Sequence, residues 1–358
     1  MQIFHCPTKL YMGPGALDAL GGFPAKRVLV VTDSFFSKNG TALEVGRRVP
    51  GAEVRIFDHV VPDPPASLAA EGAALCAQFR PQLLIALGGG SPMDCAKAIR
   101  LAAGEPMTFV AVPTTSGSGS EMTSFSILTH DGVKHPLVDP SLRPDAAILD
   151  DSLLTGLPPS LIADTGMDLL AHCLEALAAT GASGFTDALA FEGARTALAL
   201  LPASCQGDRS VRLRLHEAAS MAGMAFDNAG LGVCHALAHA LGGSFHVPHG
   251  RLCAMLLPSV LSYNAPAAQE KYACLARLCG LPAATDRLAA RSLSAAIVRL
   301  RKQLHMPETL GQAGVTAAQW AEKQPQVLQA ALADSCCQTN PVSVTEAGLR
   351  QLCKAVAP

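Results

Sequence analysis

The sequence predicts an α/β N-terminal domain over residues 1–155, built on a parallel, Rossmann-like sheet, and an all-α domain over residues 156–358. Three observations carry this. Short apolar, β-rich runs alternate with helical stretches through the first 150 residues. Such runs vanish after about residue 155. LPP at 157–159 punctuates the change. The expected strands are RVLVVTD (27–33), AEVRIFD (52–58), PQLLIALGGG (81–90), MTFVAVPTT (107–115) and AAILDD (146–151), several of which stop at Gly, Pro or Asp. Between them lie the helical patterns PPASLAAEGAALCAQF (64–79) and SPMDCAKAIRLAA (91–103). Such alternation argues for a parallel sheet covered on both faces. Beyond residue 155 come five Ala- and Leu-rich helical patterns, SLIADTGMDLLAHCLEALAA, TDALAFEGARTALALLP, RLRLHEAASMAGMAF, AAQEKYACLARLC and DRLAARSLSAAIVRLRKQL. No internal repeat or low-complexity linker is visible.

The chain has 358 residues, enough for two domains with proper cores. Hydrophobic residues make up 49% and charged residues 16%, the composition of a globular protein. A net charge of −2 and the lack of any Lys/Arg run argue against nucleic acid or an anionic membrane as partner. No apolar stretch reaches the roughly 18 residues of a spanning helix. MQIFHCPTKLYMG has no charged-then-apolar signal layout. The twelve cysteines are scattered, with one vicinal pair, Cys336–Cys337, and no CxxC. They read as reduced thiols of a cytoplasmic protein, mostly core filler.

Two loops carry nucleotide chemistry. GGGSPMDCAKA follows an expected strand and opens an expected helix, with Ser91 as cap, Pro92 in the first turn and Asp94 at the third helical position. Gly89, Gly90 and their neighbour at 88 exceed what an ordinary tight turn needs. A helix N-terminus approached this closely binds a pyrophosphate, although the pattern is neither GxGxxG nor a P-loop. PTTSGSGSE (113–121) is a second polar loop, whose Thr114, Thr115 and Ser118 hydroxyls suit ribose or phosphate. Asp33 ends the first strand run. It is either a turn aspartate or a ribose acceptor that repels a 2′-phosphate.

CHALAHALGGSFHVPHG (234–250) holds His235, His239, His246 and His249, four of the chain's eleven histidines. Upstream, GMDLLAHCLEA places Asp168 and His172 one helical turn apart on one face, the same spacing as His235 and His239. Pro248 is expected to break the helix and leave His249 in a turn. A lone histidine on an apolar helix is usually a satisfied core residue. A carboxylate and three imidazoles from these segments instead suit Fe²⁺ or Zn²⁺. Spacing alone does not say which of the four clustered histidines stands outside the ligand set.

Together these motifs resemble the iron-containing (group III) alcohol dehydrogenase family. The matching pieces are GGGSPMDCAK, VPTTSGSGSE, DTGMDLLAHCLEA and GLGVCHALAHALGGSFHVPHG, within a likeness running from LYMGPGAL (10–17) to ALADSCCQTNP (331–341). Within the family, TGMDLLAHCLEA, SGFTDALA and AGMAFDNAGLG are most similar to the propanol dehydrogenases of propanediol-utilisation operons. The resemblance implies a dehydroquinate synthase-like fold and hydride transfer between NAD(H) and a short-chain alcohol or aldehyde such as 1-propanol or propanal. It puts metal ligands at Asp168, His172, His235 and His249 for Fe²⁺, with Zn²⁺ also accepted. His239 falls beside the nicotinamide as proton relay, and His246 inherits no role. Gly89, Gly90, Ser91 and Asp94 fall on pyrophosphate and nicotinamide contacts; Thr114, Thr115, Ser118 and Lys134 fall near the cofactor. Phe226 and Cys336 fall on the substrate cleft. Phe125 stands where relatives acting on hydroxylated aldehydes carry a polar residue, which favours a simple aliphatic substrate.

The resemblance also implies a cytoplasmic homodimer and association with a bacterial microcompartment, although no encapsulation helix stands ahead of MQIFHCPTKL. Rival readings are a glycerol dehydrogenase or other polyol or hydroxyacid oxidoreductase, a dehydroquinate synthase, a maleylacetate reductase, and a non-enzymatic metal-binding protein. The apolar HALAHALGGSFHVPHG argues against the synthase, Asp168 against the reductase, and the glycine-rich loop against a mere metal binder.

Overall fold

The apolar runs of the first half assemble as one six-stranded sheet in a computed structural model of the chain, which describes residues 3–130 and 133–358. The chain falls into two units, Cys6–Leu157 and Pro158–Pro358, the latter joined by the stretch that ends at His5. The first unit runs β1 (Lys9–Met12), β2 (Arg27–Asp33), α1 (Ser34–Lys38), α2 (Thr41–Arg47), β3 (Glu53–Val60), α3 (Ala66–Phe79), β4 (Leu83–Gly88), α4 (Gly90–Ala103), β5 (Thr108–Pro113), β6 (Phe125–His130), β7 (Val133–Val138) and β8 (Ala146–Leu149). The sheet order is β1-β8-β5-β4-β2-β3, with every pairing parallel. β4 is buried along its whole length and β2 at all but its end residues, which is why both read as unbroken apolar runs.

Three strands were not expected. β1 is a four-residue edge strand, mostly exposed, so it shows no apolar run. β6 and β7 form a separate antiparallel pair, and β6 alternates buried with half-buried residues instead of showing an apolar block.

Topology marks one place in the sheet. From β2 the chain adds β3 on one side, then crosses to β4 on the other. The ends of β2 and β4 therefore flank a topological switch point, where open α/β sheets take their ligands. Those ends are Asp33 and Gly88–Gly90. Gly88 has φ +146°, and a Cβ there would lie 2.5 Å from Pro92 Cγ, so only glycine fits. This sharp turn corrects one expectation. The helix begins at Gly90 with Gly89 as its N-cap, so Ser91 lies inside the first turn, makes no capping bond, and Asp94 is the fifth helical residue, not the third.

The second unit is helical: α5 (Pro159–Ala178), α6 (Gly184–Cys205), α7 (Arg212–Ala229), α8 (Val233–Phe245), α9 (His249–Leu278), α10 (Asp286–Gln303), α11 (Ala317–Ala333), α12 (Cys336–Thr339) and α13 (Glu346–Lys354). α5 is buried almost without interruption from Ile162 to Ala178, its polar residues Asp164, Asp168, His172 and Glu175 included. It packs on α6, α7 and α9. Its Gly166 lets Leu201 of α6 approach: a Cβ would lie 2.2 Å from Leu201 Cδ1. Here a second expectation is corrected. Pro248 is the N-cap of α9, and His249 is the first residue of that helix rather than a turn residue. Proline ends what precedes it, but its missing N–H and extended ψ also suit the entry to a new helix. Among the described residues no helix is long and apolar enough to cross a membrane.

Candidate functional site

Three helices of the second unit bring their polar residues to one point. α5 contributes Asp168, His172 and Glu175, at spacings of four and three, hence on one face. α8 contributes His235 and His239, and α9 contributes His249 and, one turn on, Cys253. Gly250 permits the junction. A Cβ there would lie 1.9 Å from the Asp164 carbonyl oxygen and 3.2 Å from Asp168 Cβ, so α9 starts hard against α5 beside the aspartate. Arg251 clamps the same crossing, donating to both carboxylate oxygens of Asp164 at 3.1 and 2.9 Å.

Asp168 Oδ1 is the centre of the cluster. It lies 3.4 Å from His249 Nε2, 3.7 Å from His235 Nε2 and 4.0 Å from His172 Nε2. The His172 and His235 rings stack at 4.5 Å, and Phe226 stacks at 4.5 Å on the other side of His172. Burial opposes the charge on Asp168, but the imidazoles of His172, His249 and His235 outweigh it and hold the carboxyl well below the usual carboxylate range.

Behind His235 stands Glu175, which the sequence reading missed. Glu175 Oε2 meets His235 Nδ1 at 2.6 Å and accepts the backbone N–H of Gly232 at 2.9 Å and of His235 at 3.2 Å. Oε1 accepts the N–H of Cys234 at 2.7 Å. A buried carboxylate thus takes the orphan donors of the first turn of α8 and orients the ring at once. Burial disfavours charge on His235, yet Asp168 and Glu175 push its pKa up to about 10. Two buried carboxylates here demand positive charge, from a proton or a cation. His235 Nε2 is buried, faces Asp168 and makes no hydrogen bond. A divalent ion fits these residues: with His235 Nδ1 bound to Glu175, the Nε2 lone pairs and the Asp168 oxygen share one small space.

His239 lies beside the cluster, its ring stacked 5.1 Å from that of His249. Its Nδ1 pairs with Asp334 Oδ2 at 2.8 Å. Asp334 sits partly buried just after α11, and its Oδ1 accepts the backbone N–H of Cys336. Burial opposes its ionisation, but His239 and Cys336 lower its pKa to about 2. Cys336 thereby falls next to the His239–Asp334 pair, the three offering donor atoms within 4.8 Å of one another. His246 caps α8 in the left-handed conformation, φ +55°, outside the cluster.

In the first unit the expected residues gather around the start of α4. A Cβ on Gly89 would lie 3.1 Å from Thr115 Oγ1, and one on Gly90 3.5 Å from Ser118 Cβ, so the two loops lie against each other. The Thr114 N–H donates to the Gly88 carbonyl at 2.9 Å. Ser120 Oγ donates to Asp94 Oδ1 at 3.0 Å. Lys97, fully buried and not anticipated, donates from Nζ to Ser120 Oγ, Thr123 and the Phe125 carbonyl, at 2.6 Å for the last. Lys134 pairs with Asp63 at 2.6 Å, and its charge also reaches Asp94. Asp33 caps α1, its Oδ1 accepting from the N–H groups of Phe35 and Phe36.

Residues 7–151 match the family of iron-containing alcohol dehydrogenases, and residues 162–357 match the C-terminal part of that family. The 1-propanol dehydrogenase PduQ of Citrobacter freundii is 40% identical over 98% of this chain and 99% of its own. The NADPH-dependent butanol dehydrogenase of Clostridium saccharobutylicum is 34% identical over 99% and 98%. Among solved structures, the iron-containing alcohol dehydrogenase of Thermococcus thioreducens superposes with a TM-score of 0.91 at 32% identity, covering 98% of each chain. Sulfoacetaldehyde reductase of Bifidobacterium kashiwanohense, solved with NAD⁺, gives 0.87 at 25% identity over 99% of this chain and 98% of its own.

Proposed function

Because the chain belongs to the iron-containing alcohol dehydrogenase family, a family of oxidoreductases, we propose that it interconverts short-chain primary alcohols and aldehydes with NAD(H), 1-propanol and propanal foremost. The observation that carries this reading is the convergence of three imidazole Nε2 atoms on one Asp168 oxygen within 4.0 Å. Asp168, His172, His235 and His249 would hold Fe²⁺, or Zn²⁺ in its place. When bound there, such an ion supplies Lewis acidity for the substrate oxygen.

The chain's own residues do the rest. Glu175 fixes the His235 tautomer by accepting at Nδ1. Asp334, ionised down to about pH 2, accepts from His239 Nδ1–H and leaves Nε2 to take or return the substrate's proton. Phe226 covers one face of His172 and keeps water from it. Cys336 lies beside His239 and Asp334, where it suits a substrate-lining role. The N-terminus of α4, with Gly89, Gly90 and Ser91, would take the pyrophosphate. Thr114, Thr115, Ser118, Asp94 and Lys134 lie around that loop as further cofactor contacts. Phe125 supplies an apolar side chain for an aliphatic substrate, and Asp33 is poised for ribose at the switch point. The likeness to the propanol dehydrogenases extends the reading to a cytoplasmic homodimer associated with a microcompartment.

The test is anaerobic NADH oxidation with propanal, using metal-stripped protein reloaded separately with Fe²⁺ and Zn²⁺. Activity is expected to return with metal. No turnover of any short aldehyde by protein that binds both ion and NADH would defeat the reading. In the same assay Asp33→Asn keeps the capping bonds to α1 but removes the charge, and it should narrow the preference for NADH over NADPH. Unchanged selectivity would take Asp33 out of the nucleotide site.

A further inference from the structure

We infer that Cys253 is an additional ligand for the ion at this site, a sulfur donor beside the carboxylate and the imidazoles. The inference rests on the metal-centre reading above. Cys253 stands one turn after His249 on α9, so both side chains leave the same face. Its Sγ lies 3.7 Å from Asp168 Oδ1 and 3.6 Å from His249 Nε2. These spacings carry geometric information. With metal–nitrogen or metal–oxygen bonds of about 2.0–2.1 Å and metal–sulfur of about 2.3 Å, neighbouring donors of a tetrahedral site lie about 3.5 Å apart across sulfur and about 3.4 Å apart otherwise. The sulfur contacts, and the 3.4 Å and 3.7 Å contacts of His249 and His235 with Asp168, fall close to those edges. Asp168, His235, His249 and Cys253 offer four donor atoms that all lie within 4.8 Å of one another. His172, at 4.0 Å from Asp168, is the wider member and makes a fifth donor.

A thiol that merely filled the core would face apolar neighbours. Cys253 is fully buried, yet its sulfur faces a carboxylate and a ring nitrogen. The neighbouring Cys234 is equally buried but directs its sulfur to the Cys253 carbonyl, at 3.9 Å. Ligation releases the thiol proton to solvent and forms the metal–sulfur bond, with no change of oxidation state. A sulfur donor shifts the site toward thiophilic ions, so Zn²⁺ and Co²⁺ should be favoured over Mn²⁺ and Mg²⁺ more strongly than an Asp/His set would favour them.

The experiment reads the sulfur directly. Stripped full-length protein is loaded with one equivalent of Co²⁺, and bound cobalt is counted by elemental analysis after dialysis. The expected result is a near-ultraviolet sulfur-to-cobalt charge-transfer band, lost in Cys253→Ser and kept in Cys336→Ala, the control for the thiol beside His239. Zinc should bind Cys253→Ser at least about tenfold more weakly than the parent. X-ray absorption of the zinc-loaded, unsubstituted protein should show one sulfur at about 2.3 Å, and it decides the matter even if the variant fails to fold. Stoichiometric cobalt without the band, together with a zinc shell of nitrogen and oxygen only, would overturn the role of Cys253 and leave the metal centre standing. Failure of both ions to bind would overturn the two readings together.

Discussion

Asp94 is a carboxyl whose neighbours pull in opposite directions. Burial raises its pKa to about 6, against the lowering influence of Lys97, Ser120, the Ile127 backbone N–H and Lys134. The unfolded chain releases this proton near pH 4. Between pH 4 and 6 the folded state therefore binds the extra proton. The stabilisation it brings is complete below pH 4 and is lost as pH rises through 6, a change of about 3 kcal/mol. Asp94→Asn should abolish that contribution, so denaturant titrations of the variant and the parent should diverge in their pH dependence across this window. Parallel curves would mean that the carboxyl is not held protonated there. Lys97 belongs to the same network, but its neighbours Ser120, Thr123 and Phe125 lie 23 to 28 residues away along the chain, so no local pattern exposed it.

At the scale of elements, the crossing of α5 and α9 is set by a missing side chain. Gly250→Ala would drive a methyl into the Asp164 carbonyl and against Asp168. Backbone cannot rotate away as a side chain can, so a loss of about 3 kcal/mol or more is expected from overpacking. The displaced α9 would also carry His249 and Cys253 off Asp168, and zinc affinity should fall with stability. A variant as stable as the parent that binds zinc normally would show that the crossing tolerates the change. Regular elements of this kind were largely legible. The central strands declared themselves as unbroken apolar blocks, and Asp168–His172 and His235–His239 as one-turn pairs. What stayed hidden has physical reasons. β1 is too short and exposed to leave a pattern, and β6–β7 too mixed. Pro248 signals an end equally well as a beginning, so the start of α9 at His249 was misplaced. Glu175 continues the face of Asp168 and His172 by three residues, a signal that could have been read. Asp334 lies 95 residues from His239 and could not.

For the molecule as a whole, the two units carry separate cores, one around the sheet strands and the other around α5. A ligand stabilises only the state that binds it, by about 2.7 kcal/mol at a hundredfold excess over Kd. Calorimetry should show that a chelator lowers the melting of the helical unit and leaves the transition of the sheet unit in place, while NADH raises the latter. A scan indifferent to chelator would place no ion within α5, α8 and α9. The helical unit is also interrupted in sequence, since Phe4 stacks on Phe185, and His5 exchanges hydrogen bonds with Asn228 at 2.7 and 3.2 Å, across 223 positions. On the ribosome, at about 5–20 residues per second, Asn228 emerges roughly 10–45 s after His5. The sheet unit can finish folding within that interval. Phe4 and His5 thus find their place only after the sheet unit has been made, and translation speed becomes part of how this fold is reached.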